Sequence, residues 1–404
     1  MTDGPNEKKK KVAVACQGGG IHASFSVGVL VEILKAIEQQ NKAKDSTDRK
    51  RFELVGLSGT SAGALCALMV WYGLAPKNGR AGSAHEAIKG LEGVWKTFAA
   101  TTRTERIINL LAYSTFMAQE YEVPVLGLNA PVFSMNPAGL ISQAVFAALP
   151  LLKVREQYYD LKKLLDEACP EFESIDWEHL QTRLLVGATE VVNGIETTFD
   201  SDRNMPNQGH KHREPTVKQR WRERLPLSLG GVAASGTWPQ FFSAKEIGGR
   251  YYWDGLYSQN PPIREFLAGV HPQHVPDEIW VVRINPQQWS EPPQSNAEII
   301  DRENELMGNL SLNRELDFVL TVNDWIEKFG GGLAEKKKVK VRTIKMREPT
   351  AEALRYSSKF DRSRGFMDRL RREGEEVARE WLQHWPNVGC YPEDAAYWPR
   401  PRVY

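Results

Sequence analysis

An α/β fold, three layers with a mostly parallel central sheet between helices, is predicted for this chain by three observations. Two apolar strand runs alternate with two helix-patterned segments over residues 12–72. Both strand-to-helix joins are glycine-rich, as tight turns require. Strand patterns return beyond residue 182, so later strands can extend the same sheet. Strands linked through helices run parallel, and the helices pack on the faces of the sheet.

With 404 residues, 41% hydrophobic and 25% charged, the chain has a globular profile and is long enough for an α/β domain with insertions. A net charge of +1 gives no reason to expect a nucleic-acid partner or strong attraction to anionic membranes. Cys16, Cys66, Cys169 and Cys390 are scattered, with no CxxC or Cys/His metal spacing, which points to a reducing compartment. The lysine run 8–11 precedes an apolar stretch too short for a secretory signal, and no run approaches the roughly 18 apolar residues of a membrane-crossing helix. A basic solvated tail over 1–11 and a cytoplasmic location, peripheral at membranes, are the expectations. Oligomeric state is left open.

In chain order, 12–17 is an apolar strand and Gly18-Gly19-Gly20 a loop. Residues 24–39 carry Phe25, Val29, Leu30, Ile33, Leu34 and Ile37 at helical spacing. A charged linker, 41–51, leads to a strand at 52–57 and a mostly buried helix at 62–72. Helical pieces follow at 84–98 and 106–117. The stretch 123–152 is apolar and interrupted by Pro124, Pro131, Pro137 and Pro150. Within an insertion spanning about 76–180, it reads either as a helical subdomain with its own core or as a lid and lipid-facing surface. Strands are expected at 182–189 and 195–200, a polar loop at 202–224, and a hairpin of 241–247 with 250–253 about Gly248-Gly249. A strand at 278–284 precedes helices at 296–328 and 366–385, with a strand at 338–345 between them. Residues 12–290 are expected to form one domain and 291–404 a mostly helical C-terminal extension.

Chemistry enters at Gly59-Thr60-Ser61-Ala62-Gly63, between the second strand and its helix. A serine flanked by glycines at such a turn is exposed as a nucleophile, and bulk at 59 or 63 would crowd the turn. An acyl-accepting serine needs a base and donors for the developing oxyanion. Gly18, Gly19 and Gly20, with His22 just beyond, lie where backbone N–H groups can face a ligand at a helix N-terminus. The same residues also match G-x-G-x-x-A of dinucleotide sites, but the second strand ends in the serine turn rather than in a ribose-binding acid. None of the eight histidines occupies a convincing position for a base; His271 and His274 precede the 278–284 strand, and His210 and His212 fall in the polar loop. Asp254 follows a strand and precedes Gly255, either starting a turn or serving as a base whose pKa burial has raised.

Together, Gly18-Gly19-Gly20 with His22, Gly59-Thr60-Ser61-Ala62-Gly63 and Asp254-Gly255 resemble, in order and spacing, the motifs of patatin-like phospholipases. Ala234-Ser235 and Asn260-Pro261 are similar to recurring stretches of that family, and the resemblance covers roughly 12–290. Ser311 to Leu316 and the arginine-rich 357–381 segment look like the helical tail of bacterial members. The resemblance implies a three-layer patatin-like fold and a Ser61–Asp254 dyad. It implies an oxyanion hole from Gly18, Gly19 and Gly20, with Ala62 by analogy with other serine turns, and support from Gly59, Gly63 and Gly255. His22 stands where the family carries arginine or lysine, and Ala23 and Leu256 stand in place of glycines. The implied reaction is hydrolysis of lipid acyl esters without metal or organic cofactor, with membrane contact through 123–152. A short-chain carboxylesterase and a weakly active regulatory protein are the alternatives.

Overall fold

The computed structural model describes residues 9–42, 52–120, 137–203, 221–239, 241–268, 274–330 and 337–390. Expectations for the N-terminal tail, for 121–136 of the apolar stretch, for most of the polar loop with His210 and His212, and for His271 lie outside the described residues.

The first strand, β1 (Lys10–Cys16), sits inside the sheet. Val12, Val14 and Cys16 face one core, while Ala13 and Ala15 face the other. A strand buried on both faces reads as continuous apolar sequence, which is why 12–16 has no polar alternation. α1 (Ser24–Lys42) follows, then β2 (Phe52–Thr60) and α2 (Ala62–Leu74). β2 runs three residues beyond the expected strand and ends against the serine turn itself. α3 (Ala84–Phe98), α4 (Arg103–Glu120), α5 (Pro137–Ala148) and α6 (Leu161–Ala168) make up the insertion. It has a small core of its own, centred on Ile108, Leu149 and Tyr158.

β3 (Arg183–Glu190) and β4 (Ile195–Asp200) form an antiparallel pair. β5 (Arg222–Pro226) then adds a parallel edge strand where a loop was expected. Its charged sequence conceals it: Arg222 binds Glu196, Glu265 and Glu315, and Arg224 binds Asp200, so these charges are spent on ion pairs. α7 (Leu229–Ser235) leads into the expected hairpin, β6 (Lys245–Ile247) and β7 (Arg250–Asp254). β8 (Glu278–Arg283), α8 (Asn296–Lys328), β9 (Lys340–Lys345), the short α9 (Glu348–Glu352) and α10 (Arg364–His384) complete the chain.

The sheet order is β5-β4-β3-β2-β1-β8-β9, parallel except at the β3–β4 pair, with the β6–β7 hairpin attached antiparallel to β3. The two expected layers of helix are present on its faces: α1, α2, α3 and α10 enclose the larger core, and α8 lies over the second. The C-terminal region contributes a strand to this sheet and a helix to this core. Strand β9 pairs with β8, and Arg342 binds the buried Glu278 carboxylate, which also accepts from the indoles of Trp280 and Trp385. Helix α10 crosses α1 at two glycines, where a Cβ on Gly28 would lie 2.0 Å from Arg371 O and one on Gly374 2.0 Å from Phe25 O. Residues 20–42 reach the length and mean hydropathy of a membrane-crossing helix, although no 18-residue apolar run is evident; 78% of that window is buried in this core.

Candidate active site

Strand registry builds the site. On one edge of β3, Thr60 at the end of β2 pairs with Gly187, and Asp254 at the end of β7 pairs with the next residue, Ala188. Strands β2 and β7 therefore meet end to end, and two residues far apart in sequence become neighbours. Ser61 caps α2 with φ 55° and ψ −130°, a left-handed conformation that a non-glycine residue holds only where its surroundings enforce it. Ser235 provides that enforcement. Its Oγ accepts the Ser61 N–H at 2.9 Å and donates to Gly187 O at 2.5 Å. Room for the turn comes from Gly63, where a Cβ would sit 2.4 Å from Cys16 O.

Asp254 is 1% exposed. Its backbone N–H donates to Thr237 O at 3.0 Å, and its Oδ1 accepts the Leu256 N–H at 2.9 Å. Burial raises the carboxyl from 3.8 to about 7, opposed by the neighbouring Ser61 hydroxyl and the Leu256 N–H. Burial outweighs the two because a carboxylate loses more solvation than two neutral donors restore. Gly255 packs against the backbone of Gly187, which closes the junction from the other side.

The glycine loop follows β1 directly beside this pair. Gln17 fixes its base, accepting the N–H groups of Ile284 and Asn285 and donating to Asn309 Oδ1 at 2.9 Å. Gly18, expected as an oxyanion donor, has its N–H engaged by Asn260 Oδ1 at 2.7 Å, so that donor anchors the loop. Among the described residues, the N–H groups of Gly19 and Gly20 have no such acceptor, and both residues line the pocket with Ser61 and Ala62. A Cβ on Gly20, at φ 58°, would strike Lys359 O at 2.5 Å.

His22 does not line this pocket; it is buried beneath the loop. Ser358 Oγ lies 2.7 Å from both His22 Nε2 and Arg355 O. A carbonyl can only accept, so the Ser358 proton goes to Arg355 and His22 donates from Nε2. Burial, and secondarily the Lys359 charge, hold its pKa well below 6.5. His22 is therefore a neutral clamp between the glycine loop and the 357–360 segment. No histidine among the described residues lines the pocket.

The pocket over Ser61 and Asp254 is predominantly apolar. Its walls come from the insertion, through Phe98, Ile108, Phe116 and Phe146, and from Trp238, Phe241, Tyr356 and Phe360. Phe116 stacks on Phe360 at 4.2 Å between ring centroids and meets Phe241 edge-on at 5.3 Å. The insertion thus has a small core of its own and also contributes to the pocket wall. Of the aromatic wall, Phe146 belongs to the stretch read as a possible lipid-facing surface; Lys359 and Phe360 were not singled out from sequence, their one signal being the 357–381 stretch to which they belong.

A protein-family model described as patatin-like phospholipase matches residues 14–267. No curated protein matches the chain. Among solved structures it is similar to a chain of full-length SpcU in complex with full-length ExoU from the type III secretion system of Pseudomonas aeruginosa, at 10% identity and a TM-score of 0.29. That match covers 93% of this chain and 53% of the other, so this chain spans about half the length of its neighbour.

Proposed function

This chain belongs to the patatin-like phospholipase family, and from that premise we propose that it hydrolyses acyl esters of phospholipids through an acyl-Ser61 intermediate, with Asp254 as general base. The observation that carries the proposal is the strand register that brings Ser61 and the buried Asp254 carboxyl to one end of the same pocket, where burial raises that carboxyl to about 7, suited to accepting a proton near neutrality.

In the proposed sequence the acyl chain lies along the aromatic wall and the ester carbonyl faces Gly19 and Gly20. Ser61 Oγ attacks the carbonyl carbon as its proton passes to Asp254. The carbonyl oxygen gains negative charge, which the N–H groups of Gly19 and Gly20 receive, with Ala62 N–H at the α2 N-terminus adding a third donor and a favourable dipole. Collapse breaks the ester bond and returns the proton to the departing alcohol. Water, activated by Asp254, then attacks the acyl-serine, and the second collapse releases the fatty acid and restores Ser61. Ser235 and Asn260 hold the turn and the loop in position without touching the reacting atoms.

Lipid-product profiling of wild type beside Ser61→Ala tests this reading. Fatty acid and lysolipid are expected from wild type only, together with fluorophosphonate labelling of wild type and none of the variant. Equal product from both proteins would refute it.

A further inference from the structure

Among the described residues, the pocket is lined by one carboxylic acid, Asp254, and two cationic side chains, Lys359 and Arg362, both from the segment that follows the Ser358 clamp. Asp254 is half protonated near pH 7, so the wall around Ser61 carries net positive charge while its surface is otherwise largely apolar. Arg362 donates to Phe98 O and Tyr158 O at 2.8 Å each, and its Nη2 has no partner among the described residues. Lys359 is held differently. Its ammonium bonds to Asn285 Oδ1 at 3.3 Å and to Asn304 Oδ1, both neutral amide oxygens. Glu305 and Asp301 act on it through space, but each is committed to an arginine, Glu305 to Arg302 and Asp301 to Arg355.

An ammonium has three donors, and two are accounted for. A buried cation without a carboxylate partner is costly unless an anion arrives to share the site. The position of Lys359 fits such an arrival. Its backbone packs on Gly20, and Asn285, which anchors its ammonium, lies beside Gly19. The charge therefore sits at the glycine-loop side of the pocket, adjacent to the place where the ester would react, while neutral His22 supplies none.

Resting on the hydrolase reading above, we propose that Lys359 is a specificity-determining residue that receives the phosphodiester group of a phospholipid substrate, with Arg362 adding to the positive field. The phosphate accepts a charge-assisted hydrogen bond from the third ammonium donor, which fixes the glycerol end while the acyl chain occupies the aromatic wall.

The test compares kcat/KM for a short-chain phosphatidylcholine with that for an uncharged diacylglycerol of the same chains. The ratio is expected to fall about tenfold or more in Lys359→Met and to recover substantially in Lys359→Arg, the size of effect expected from one charge-assisted hydrogen bond. An unchanged ratio, including an equal loss on both substrates, would overturn the proposal and leave Lys359 a structural or general oxyanion role.

A second measurement uses wild type alone, so it stands even where the variants fold poorly. Octyl phosphate is expected to bind at least about ten times more tightly than octanol by calorimetry, which requires no turnover. Equal affinities would overturn the proposal. Inorganic phosphate binding as tightly as octyl phosphate would also overturn it, by identifying a free-phosphate site. Because binding is read without catalysis, failure of the hydrolase reading, seen as no Ser61-dependent product, is distinguishable from failure of the Lys359 assignment.

Discussion

Asp254→Asn separates activity from stability at one buried atom pair. The asparagine keeps the shape of the side chain and its Oδ1 still accepts the Leu256 N–H, while the ionisable group is gone. In wild type the folded carboxyl titrates at about 7 against an ordinary 3.8. The folded pKa is raised, so the associated stability is fully present below pH 3.8 and is lost as pH rises through 7. A difference of about 3 units at about 1.4 kcal/mol each gives a total loss of about 4 kcal/mol above pH 7. At pH 5 the unfolded carboxyl is ionised and the folded one is not, so the smaller part of this loss has occurred there, and the larger part, about 3 kcal/mol, follows by pH 8. The asparagine variant escapes this term. Its unfolding free energy relative to wild type is expected to rise by about 3 kcal/mol between pH 5 and pH 8 in urea titrations. Its kcat/KM on a soluble ester is expected to fall by about 10²–10⁴ at pH 8, where wild-type Asp254 is ionised. A stability difference that does not vary with pH would refute the burial argument, and retained turnover would refute the role of Asp254 as base.

The wild-type pH profile is a separate check. The active form carries ionised Asp254, so kcat/KM on an uncharged ester should rise about tenfold per unit below pH 7 and level off above it; a flat profile from pH 5 to 8 would dissociate this carboxyl from the reaction. Ser235→Ala strands the Ser61 N–H and Gly187 O, and Asn260→Ala strands the Gly18 N–H. Each should cost about 1–3 kcal/mol in chemical denaturation, the penalty of an unpaired buried polar group, and should slow fluorophosphonate labelling of Ser61. Labelling at the wild-type rate would show that the turn and loop keep their geometry without these braces.

Most of the scaffold is legible in the residues because local chemistry dictates it. Strand β1 is apolar without alternation since both its faces are buried, and α8 is bounded by a Ser295–Glu298 capping box at its start. Strand β5 is different. Its charges look like a solvated loop until Glu196, Glu265, Glu315 and Asp200 are in place around it, and those partners come from three other segments. The same limit applies to Gly18: a glycine loop advertises free N–H groups, and only the position of Asn260 shows that one is taken.

By itself the sequence determined the serine turn, the glycine loop and the aspartate, because each is a short motif whose chemistry resides in neighbouring residues. It also determined that strands and helices alternate, since periodicity is local. Their meeting was decided by tertiary structure, through the consecutive pairing of Gly187 and Ala188 with Thr60 and Asp254 on one strand edge. So was the company they keep: the aromatic wall from the insertion, and Lys359 brought to the glycine loop through the His22–Ser358 clamp. Contacts between distant segments depend on sheet register and helix packing, which no single stretch of sequence contains.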